Sequence, residues 1–204
     1  MCCWMRFAPR DYASWSSLAR LLNDVDIVKI DGNEYTQQQC YGEALHIYPN
    51  HFESWYHLGQ SLFFHQTAVV DGKEYTRQQC YVEALRVDPG SSAAWQELAM
   101  CSALDETLVV NGKEYTSEQC HGQALRIDPN FIPAWCSLGK LAVFPGKVTL
   151  NGKQYSTQEC FLEACRCDPK ALFVLVCLER TMQIGEIVAV VNGSKKWRAS
   201  CASW

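Results

Sequence analysis

The sequence predicts a mainly α-helical repeat protein in which every repeat carries two helices and a β-hairpin. Residues of the same type recur at a forty-residue interval, as three sets show: Trp15, Trp55, Trp95 and Trp135; Cys40, Cys80, Cys120 and Cys160; and Pro9, Pro49, Pro89, Pro129 and Pro169. Self-similarity at a fixed period of this length is typical of a repeat array, in which each unit packs on its neighbours. We place the repeats at about residues 9–48, 49–88, 89–128 and 129–168, with a degenerate repeat at 169–204, in a single repeat domain spanning residues 1–204.

Each repeat opens with a predicted helix, which we call helix A. In the third repeat, Trp95, Leu98 and Cys101 follow one another at intervals of three residues. This spacing places apolar side chains on one broad face of a helix at about residues 92–104. The recurring tryptophan therefore belongs to the core.

A β-hairpin follows helix A in every repeat. An Asn-Gly or Asp-Gly pair between apolar, β-branched residues is typical of a type I′ turn, which needs positive φ at both central residues. The pairs are Asp31-Gly32, Asp71-Gly72, Asn111-Gly112 and Asn151-Gly152. A two-residue turn sets the register, so Val28, Ile30 and Tyr35 share one face of the first hairpin, opposite Lys29 and Glu34. Each hairpin has an apolar face to bury.

The sequence leaves two arrangements of the hairpins open. Repeats stacked about 10 Å apart match the width of two neighbouring strands, which would let successive hairpins pair into a continuous ribbon. In the other arrangement, each hairpin packs separately on its own helices through a recurring tyrosine, namely Tyr35, Tyr75, Tyr115 or Tyr155.

Helix B follows the hairpin and is predicted by a capping box. The N-cap hydroxyl accepts a hydrogen bond from the amide three residues on, whose own side chain accepts one from the N-cap amide. The pairs are Thr36 with Gln39, Thr76 with Gln79, Thr116 with Gln119, and Ser156 with Glu159. In the third repeat, helix B is predicted at about residues 117–127. It ends before Asp128-Pro129, because proline disfavours helix in the residue before it.

The order of Trp, Leu-Gly, an aromatic residue, Ala and Pro resembles the tetratricopeptide repeat (TPR). The second repeat supplies Trp55, Leu58, Gly59, Tyr81, Ala84 and Pro89. Six extra residues hold the hairpin, which lengthens the 34-residue family pattern to forty. The resemblance implies a right-handed α-solenoid of TPR-like helix pairs, each with a short inserted β-hairpin. The nearest rival is the Sel1-like repeat, whose period is also near forty but which does not normally carry this tryptophan.

Composition and charge favour neither nucleic acid nor a membrane as the partner. The 204 residues carry a net charge of −4 with no basic stripe, and no run approaches the ~20 apolar residues that span a bilayer. The first residues lack the basic and apolar regions of a secretory signal. We therefore interpret the twelve cysteines as thiols in a reducing compartment and expect a cytoplasmic protein.

The sequence predicts no catalytic, cofactor or metal site. Cys165 and Cys167 lie two residues apart on helix B, so they point to nearly opposite sides and cannot bind the same ion. The histidines lack zinc spacing with cysteine, and there is no phosphate loop or nucleophile elbow. Nearly every notable residue occurs in four copies, as structural residues of a repeat do. We expect a protein that is not an enzyme and needs no cofactor.

The resemblance implies that helix A lines a concave groove that binds a protein or peptide. The groove positions carried over are Ser16, Arg20, Asn23, Tyr56, Gln60, Phe63, Gln96, Met100, Cys136 and Lys140. Tyr56, Phe63 and Met100 are the expected apolar anchors, and the residues needed for the family's carboxylate clamp are missing. The expected function is a protein–protein interaction scaffold or adaptor. The alternative is a structural segment of a larger repeat assembly that makes contact by its hairpin edge or self-associates through its C-terminal end.

Overall fold

Repeated pairs of helices with a short hairpin between them make up the fold. The computed structural model describes residues 4–5, 11–23, 25–63, 65–101, 107–142, 146–171, 173–174, 177, 187–191 and 195–199, with side chains only between residues 11 and 177. The helices are α1 (Tyr12–Leu21), α2 (Gln37–Ile47), α3 (Phe52–Ser61), α4 (Arg77–Val87), α5 (Ser92–Cys101), α6 (Ser117–Ile127), α7 (Ile132–Leu141) and α8 (Thr157–Cys167). The odd-numbered helices are helix A of the four repeats, and the even-numbered ones are helix B.

The strands lie between the helices of each repeat and near both ends of the chain. They are β1 (Trp4–Met5), β2 (Ile27–Ile30), β3 (Asn33–Thr36), β4 (Thr67–Val70), β5 (Lys73–Thr76), β6 (Leu108–Val110), β7 (Lys113–Tyr115), β8 (Val148–Leu150), β9 (Lys153–Tyr155), β10 (Ile187–Val191) and β11 (Lys195–Ala199). The predicted order of helix A, hairpin and helix B is confirmed in all four repeats. Helix α5 starts where predicted and extends to Cys101, and residues 102–104 of its predicted range lie outside the described residues.

The contacts divide the chain into two compact bodies. The N-terminal body comprises Met1–Ser102 and Val109–Glu114, and the C-terminal body comprises Ala103–Leu108 and Tyr115–Trp204. The boundary falls inside the third repeat, so α5 belongs to the first body and α6 to the second. The handedness of a superhelix stays a prediction.

The capping boxes start helix B as predicted. All four are formed in both directions. In the first, the Thr36 amide donates to Gln39 Oε1 at 2.8 Å, and the Gln39 amide donates to Thr36 Oγ1 at 3.3 Å. Each capping box thus supplies hydrogen-bond acceptors for two backbone amides that have no partner within the helix. This leaves no linker between hairpin and helix B.

The recurring tryptophan joins three parts of its repeat. Its side chain is buried in all four copies. The indole Nε1–H of Trp55, Trp95 and Trp135 donates to the carbonyl oxygen of Pro49, Pro89 and Pro129 at 2.8–2.9 Å. The indole ring also contacts the hairpin tyrosine in the first, second and fourth repeats, with ring centroids 4.8–5.3 Å apart. One side chain thus ties the start of helix A to the hairpin.

The hairpins have the predicted turn and register. In all four turns, φ is positive at both central residues, between +49° and +85°. Val28 pairs with Tyr35, and Lys29 with Glu34. Val28 and Ile30 are buried while Lys29 is half-exposed, which confirms the assigned faces.

The described strands do not join into a ribbon. Each repeated hairpin forms its own sheet, and among these described strands only the first hairpin has a third strand, β1, which pairs in parallel with β2. Of the two arrangements left open by the sequence, the separate hairpins are observed. Their free edges carry charged residues such as Glu74 and Glu114, which oppose edge-to-edge pairing.

Hairpins also pack against helix B of the preceding repeat, which the sequence did not predict. Strand β4 contacts α2, and β8 contacts α6. In the third hairpin, Asn111 Nδ2 donates to the Leu85 carbonyl oxygen of α4 at 3.5 Å. In the fourth, the Thr149 amide donates to Glu118 Oε1 of α6 at 2.5 Å. The second and fourth hairpins therefore contact both helix A of their own repeat and helix B of the preceding one.

A hairpin also ends the described part of the fifth repeat. Strands β10 and β11 flank Asn192-Gly193, an Asn-Gly pair like those of the third and fourth hairpins, with Val191 paired to Lys195, and β10 contacts α8. Asn192 and Gly193 themselves lie outside the described residues. Helix α8 is thus in contact with a hairpin, as α2 and α6 are.

We predict that replacing Trp95 by alanine costs about 3–5 kcal/mol of unfolding free energy, because it removes a large buried ring. Val109→Thr alters an exposed residue of β6 and should stay within about 0.5 kcal/mol of the parent protein. Chemical denaturation of both variants measures the difference. Equal losses would contradict the assigned faces.

Candidate binding surfaces

One position of helix A is exposed in every repeat, and its residue type varies along the chain. Its four residues are Arg20, Gln60, Met100 and Lys140, which are cationic, amide, thioether and cationic side chains. The tryptophan five residues before it is buried in each case. The packing of the repeat therefore sets no requirement on this position, which is available for recognition.

The N-terminal body also exposes large apolar side chains on or directly after helix A. Phe63 and Met100 are each 59% exposed. Tyr56 is half-buried: its ring stacks on Phe52 with centroids 5.7 Å apart, and its hydroxyl accepts a hydrogen bond from Gln60 Nε2 at 3.2 Å. We define the helix-A surface as Arg20, Tyr56, Gln60, Phe63 and Met100, all in this body.

A polar network lies between α3, α4 and α5. Arg77 Nη2 is 3.2 Å from Glu97 Oε2, and the Tyr81 hydroxyl donates to the same oxygen at 3.4 Å. Burial raises the pKa of Tyr81, so its hydroxyl remains a donor at neutral pH. The network positions the Glu97 carboxylate near Tyr56, whose ring centroid lies 5.8 Å from that of Tyr81. Sequence reasoning missed it, because Arg77 and Glu97 occur in one repeat only and lie on different helices.

The other predicted groove residues lie in different surroundings. Ser16, Gln96 and Cys136 are at most 5% exposed, so we leave them out of the surface. Asn23 lies after the end of α1, where its side chain donates to Asp26 Oδ2 at 3.0 Å. Lys140 belongs to the C-terminal body, with Nζ 5.4 Å from the centroid of Phe173.

A concave region lies where β4 meets α2. Two pockets of about 440 and 420 Å³ share Gln39 and Val69. We call the second one the junction pocket, and its lining consists of Tyr35, Gln39, Gly42, Glu43, His46, Val69 and Asp71. His46 Nδ1 lies 2.5 Å from Asp71 Oδ1, and this hydrogen bond raises the pKa of His46 above its ordinary value. The contact joins α2 to the turn of the second hairpin.

The recurring cysteines are core residues. Cys40, Cys80, Cys120 and Cys160 are fully buried and unpaired. Burial raises the pKa of each thiol to about 12, so the reactive thiolate is scarce at neutral pH.

No protein-family model matches this sequence, and no curated protein matches it either. Across the part of the chain that the structure describes, the helices are too short or too polar to cross a membrane. Within the same residues, no three His, Cys, Asp or Glu side chains converge in a way that could hold a metal ion.

We predict that the four recurring thiols react slowly with an alkylating reagent in the native protein and rapidly after unfolding. Half-buried Cys101 and Cys167 provide the internal comparison and should react first. Mass spectrometry after brief labelling distinguishes the two groups. Disulfides linking the recurring cysteines would contradict the observed packing.

We also predict a pH-dependent contribution of His46. Because its pKa is raised on folding, its contact with Asp71 stabilises the fold fully below about pH 6.5 and ceases to do so as pH rises through the folded-state pKa. The difference in unfolding free energy between the parent protein and His46→Gln should therefore be largest between about pH 5, where Asp71 is ionised, and pH 6.5, and should shrink as pH rises through the folded-state pKa of His46. Arg86→Gln, at the same position of the next repeat, should give a difference that does not change over this range. A pH-independent effect of His46→Gln would exclude the charged contact.

Proposed function

We propose that this protein is a scaffold or adaptor, without enzymatic activity or cofactor, that binds a peptide or protein segment on the helix-A surface. The proposal rests on the contrast between two positions of each helix A. The tryptophan is the same and buried in every repeat, while the exposed position five residues later varies in its chemistry. A repeat array that separates its packing residues from its variable exposed residues is suited to recognition. The resemblance to TPR helix pairs supports the same role.

The chemistry of the surface favours a partner segment with apolar side chains next to hydrogen-bonding groups. Phe63 and Met100 offer exposed apolar area, and methionine adapts its shape to a partner. Arg20 and Gln60 supply hydrogen-bond donors at the variable exposed position of the first two repeats. Tyr56 is already held by Phe52 and Gln60, so little side-chain entropy is lost when a partner covers it. Apolar anchors combined with hydrogen-bonding groups are the residue types on which protein interfaces rely.

The location and partner class follow from the same proposal. Buried, unpaired thiols fit a reducing compartment, and we propose the cytoplasm. The net charge of −4 disfavours nucleic acid as the partner.

A second candidate is contact through the hairpins. Val69 and Val109 are 59% and 54% exposed on the outer faces of two hairpins, which offers apolar area outside the helix-A surface. Self-association through the C-terminal end is the weaker form of this candidate, since β10 already contacts α8.

The test uses the full chain and peptides selected on it from a random displayed library. Phe63→Asn and Met100→Gln place on the helix-A surface the residues found at equivalent positions of other repeats, Asn23 and Gln60. Each should weaken binding of the selected peptides by about tenfold or more, the effect expected for interface anchors. Val109→Thr, which copies Thr149 of the fourth hairpin, is the matched control and should leave affinity unchanged. Loss of binding with Val109→Thr alone would reject the helix-A surface in favour of the hairpins.

A further inference from the structure

The junction pocket differs from the same positions in the other repeats. Its charged lining residues are Glu43, His46 and Asp71. At the next junction these positions hold Glu83, Arg86 and Asn111, and at the third they hold Gln123, Arg126 and Asn151. Two carboxylates therefore face one histidine in the junction pocket, whereas the later junctions have at most one carboxylate and always an arginine. Of these three junctions, the first carries excess negative charge.

At the next junction, an arginine on the same helix neutralises the glutamate carboxylate. Arg86 Nε lies 2.7 Å from Glu83 Oε2 on the same helix. In the junction pocket, the histidine at this position contacts Asp71 instead, which leaves Glu43 without an arginine three residues on. At alkaline pH His46 is neutral, and neither carboxylate then has a cation at the arginine position.

Gly42 lets α2 lie close to β4 at the junction pocket. A Cβ atom at this position would lie only 3.2 Å from the Val69 carbonyl oxygen. The equivalent residue of the next repeat is Val82, so this close approach is not shared by the second repeat's helix B in the same form. Gly42 and the exposed Val69 both line the junction pocket.

Tyr35 lacks the lysine that covers the equivalent tyrosines. Lys73 Nζ lies 4.7 Å from the ring centroid of Tyr75, and Lys153 Nζ lies 4.5 Å from that of Tyr155. In the first hairpin the lysine position is Asn33. An ammonium group over an aromatic face is a favourable contact, and both of these hairpins make it from within the chain. Tyr35 lines the junction pocket without a lysine at this position of its own hairpin.

We propose that the junction pocket binds a cationic side chain, lysine or arginine, of a partner protein. The aliphatic stem lies against Val69, and the charged head lies between Tyr35, Glu43 and Asp71, where the fold's own lysine and arginine are replaced by Asn33 and His46. This surface is separate from the helix-A surface, so the two proposals fail or succeed independently.

The experiment titrates the isotope-labelled full chain with Nα-acetyl-lysine amide at low salt and follows backbone amide shifts by NMR. Saturable shifts are expected at Gly42, Val69 and Asp71. The uncharged analogue, Nα-acetyl-norleucine amide, should cause none of them. Equal shifts with norleucine would mean that the pocket recognises the aliphatic chain alone, and this outcome overturns the proposal.

Three variants, each of which introduces the residue found at the equivalent position of another repeat, test where the cation binds. Asn33→Lys, which copies Lys73, supplies an internal ammonium to Tyr35 and should abolish the shifts. Glu43→Gln, which copies Gln123, and Asp71→Asn, which copies Asn111, should each weaken binding by about tenfold. The control is Glu83→Gln, which removes the equivalent carboxylate at the next junction and should have no effect.

Each result of this series supports or overturns the proposal. If Glu83→Gln weakens binding as much as Glu43→Gln, the interaction is diffuse attraction to a negative protein and the proposal is wrong. If Asn33→Lys leaves binding unchanged, the cation does not lie over Tyr35, and the proposed site is wrong. Because the fold already holds lysine at this exposed position in three hairpins, Asn33→Lys tests the proposal even where a charge-removing variant fails to fold.

Discussion

The indole ring of helix A is the contact on which each repeat depends. In the second and fourth repeats it touches both the segment before helix A, through the proline carbonyl, and the hairpin after it, through the tyrosine ring. Burial of a large aromatic side chain supplies much of the apolar area that a forty-residue unit can hide. The hydrogen bond to proline removes the cost of burying the indole N–H. The position of the tryptophan thus sets where the hairpin lies, and the capping box then sets where helix B begins.

Local signals in the sequence predicted most of the fold. The Asp-Gly and Asn-Gly turns and the Thr or Ser caps act over two to four residues, so they can be recognised without knowing what they pack against. The contact of each hairpin with the preceding helix B could not be predicted, because it joins residues such as Glu118 and Thr149 that lie thirty-one positions apart. The register of the repeat did place Arg20, Gln60 and Met100 on the exposed side of helix A. It failed to show that Gln96 is buried, because burial there depends on neighbouring helices rather than on helix A alone.

Single departures from the repeat are more informative about binding than the repeat itself. Residues present in all copies account for packing, and the capping boxes and cysteines are of this kind. By contrast, Asn33 and His46 each occur once, where the other three repeats carry lysine and arginine respectively. His46 lines the junction pocket together with Gly42 and Asp71. These departures remove two internal cations beside an open cavity, which makes the junction pocket chemically distinct although its backbone is shared with the other repeats.

The contact between a hairpin and the preceding helix B determines where this chain can be cut into modules. Proline marks the sequence repeat, but a fragment ending there would separate α2 from β4 and leave an apolar helix face in water. A fragment that ends after the next hairpin keeps that helix face covered. The last described helix, α8, is covered in the same way, because it contacts β10, which pairs with β11. An engineer shortening or lengthening the array should therefore insert or remove forty residues measured from one capping box to the next. The structural unit, which runs from one capping box to the next, therefore does not coincide with the sequence repeat, which runs from one proline to the next.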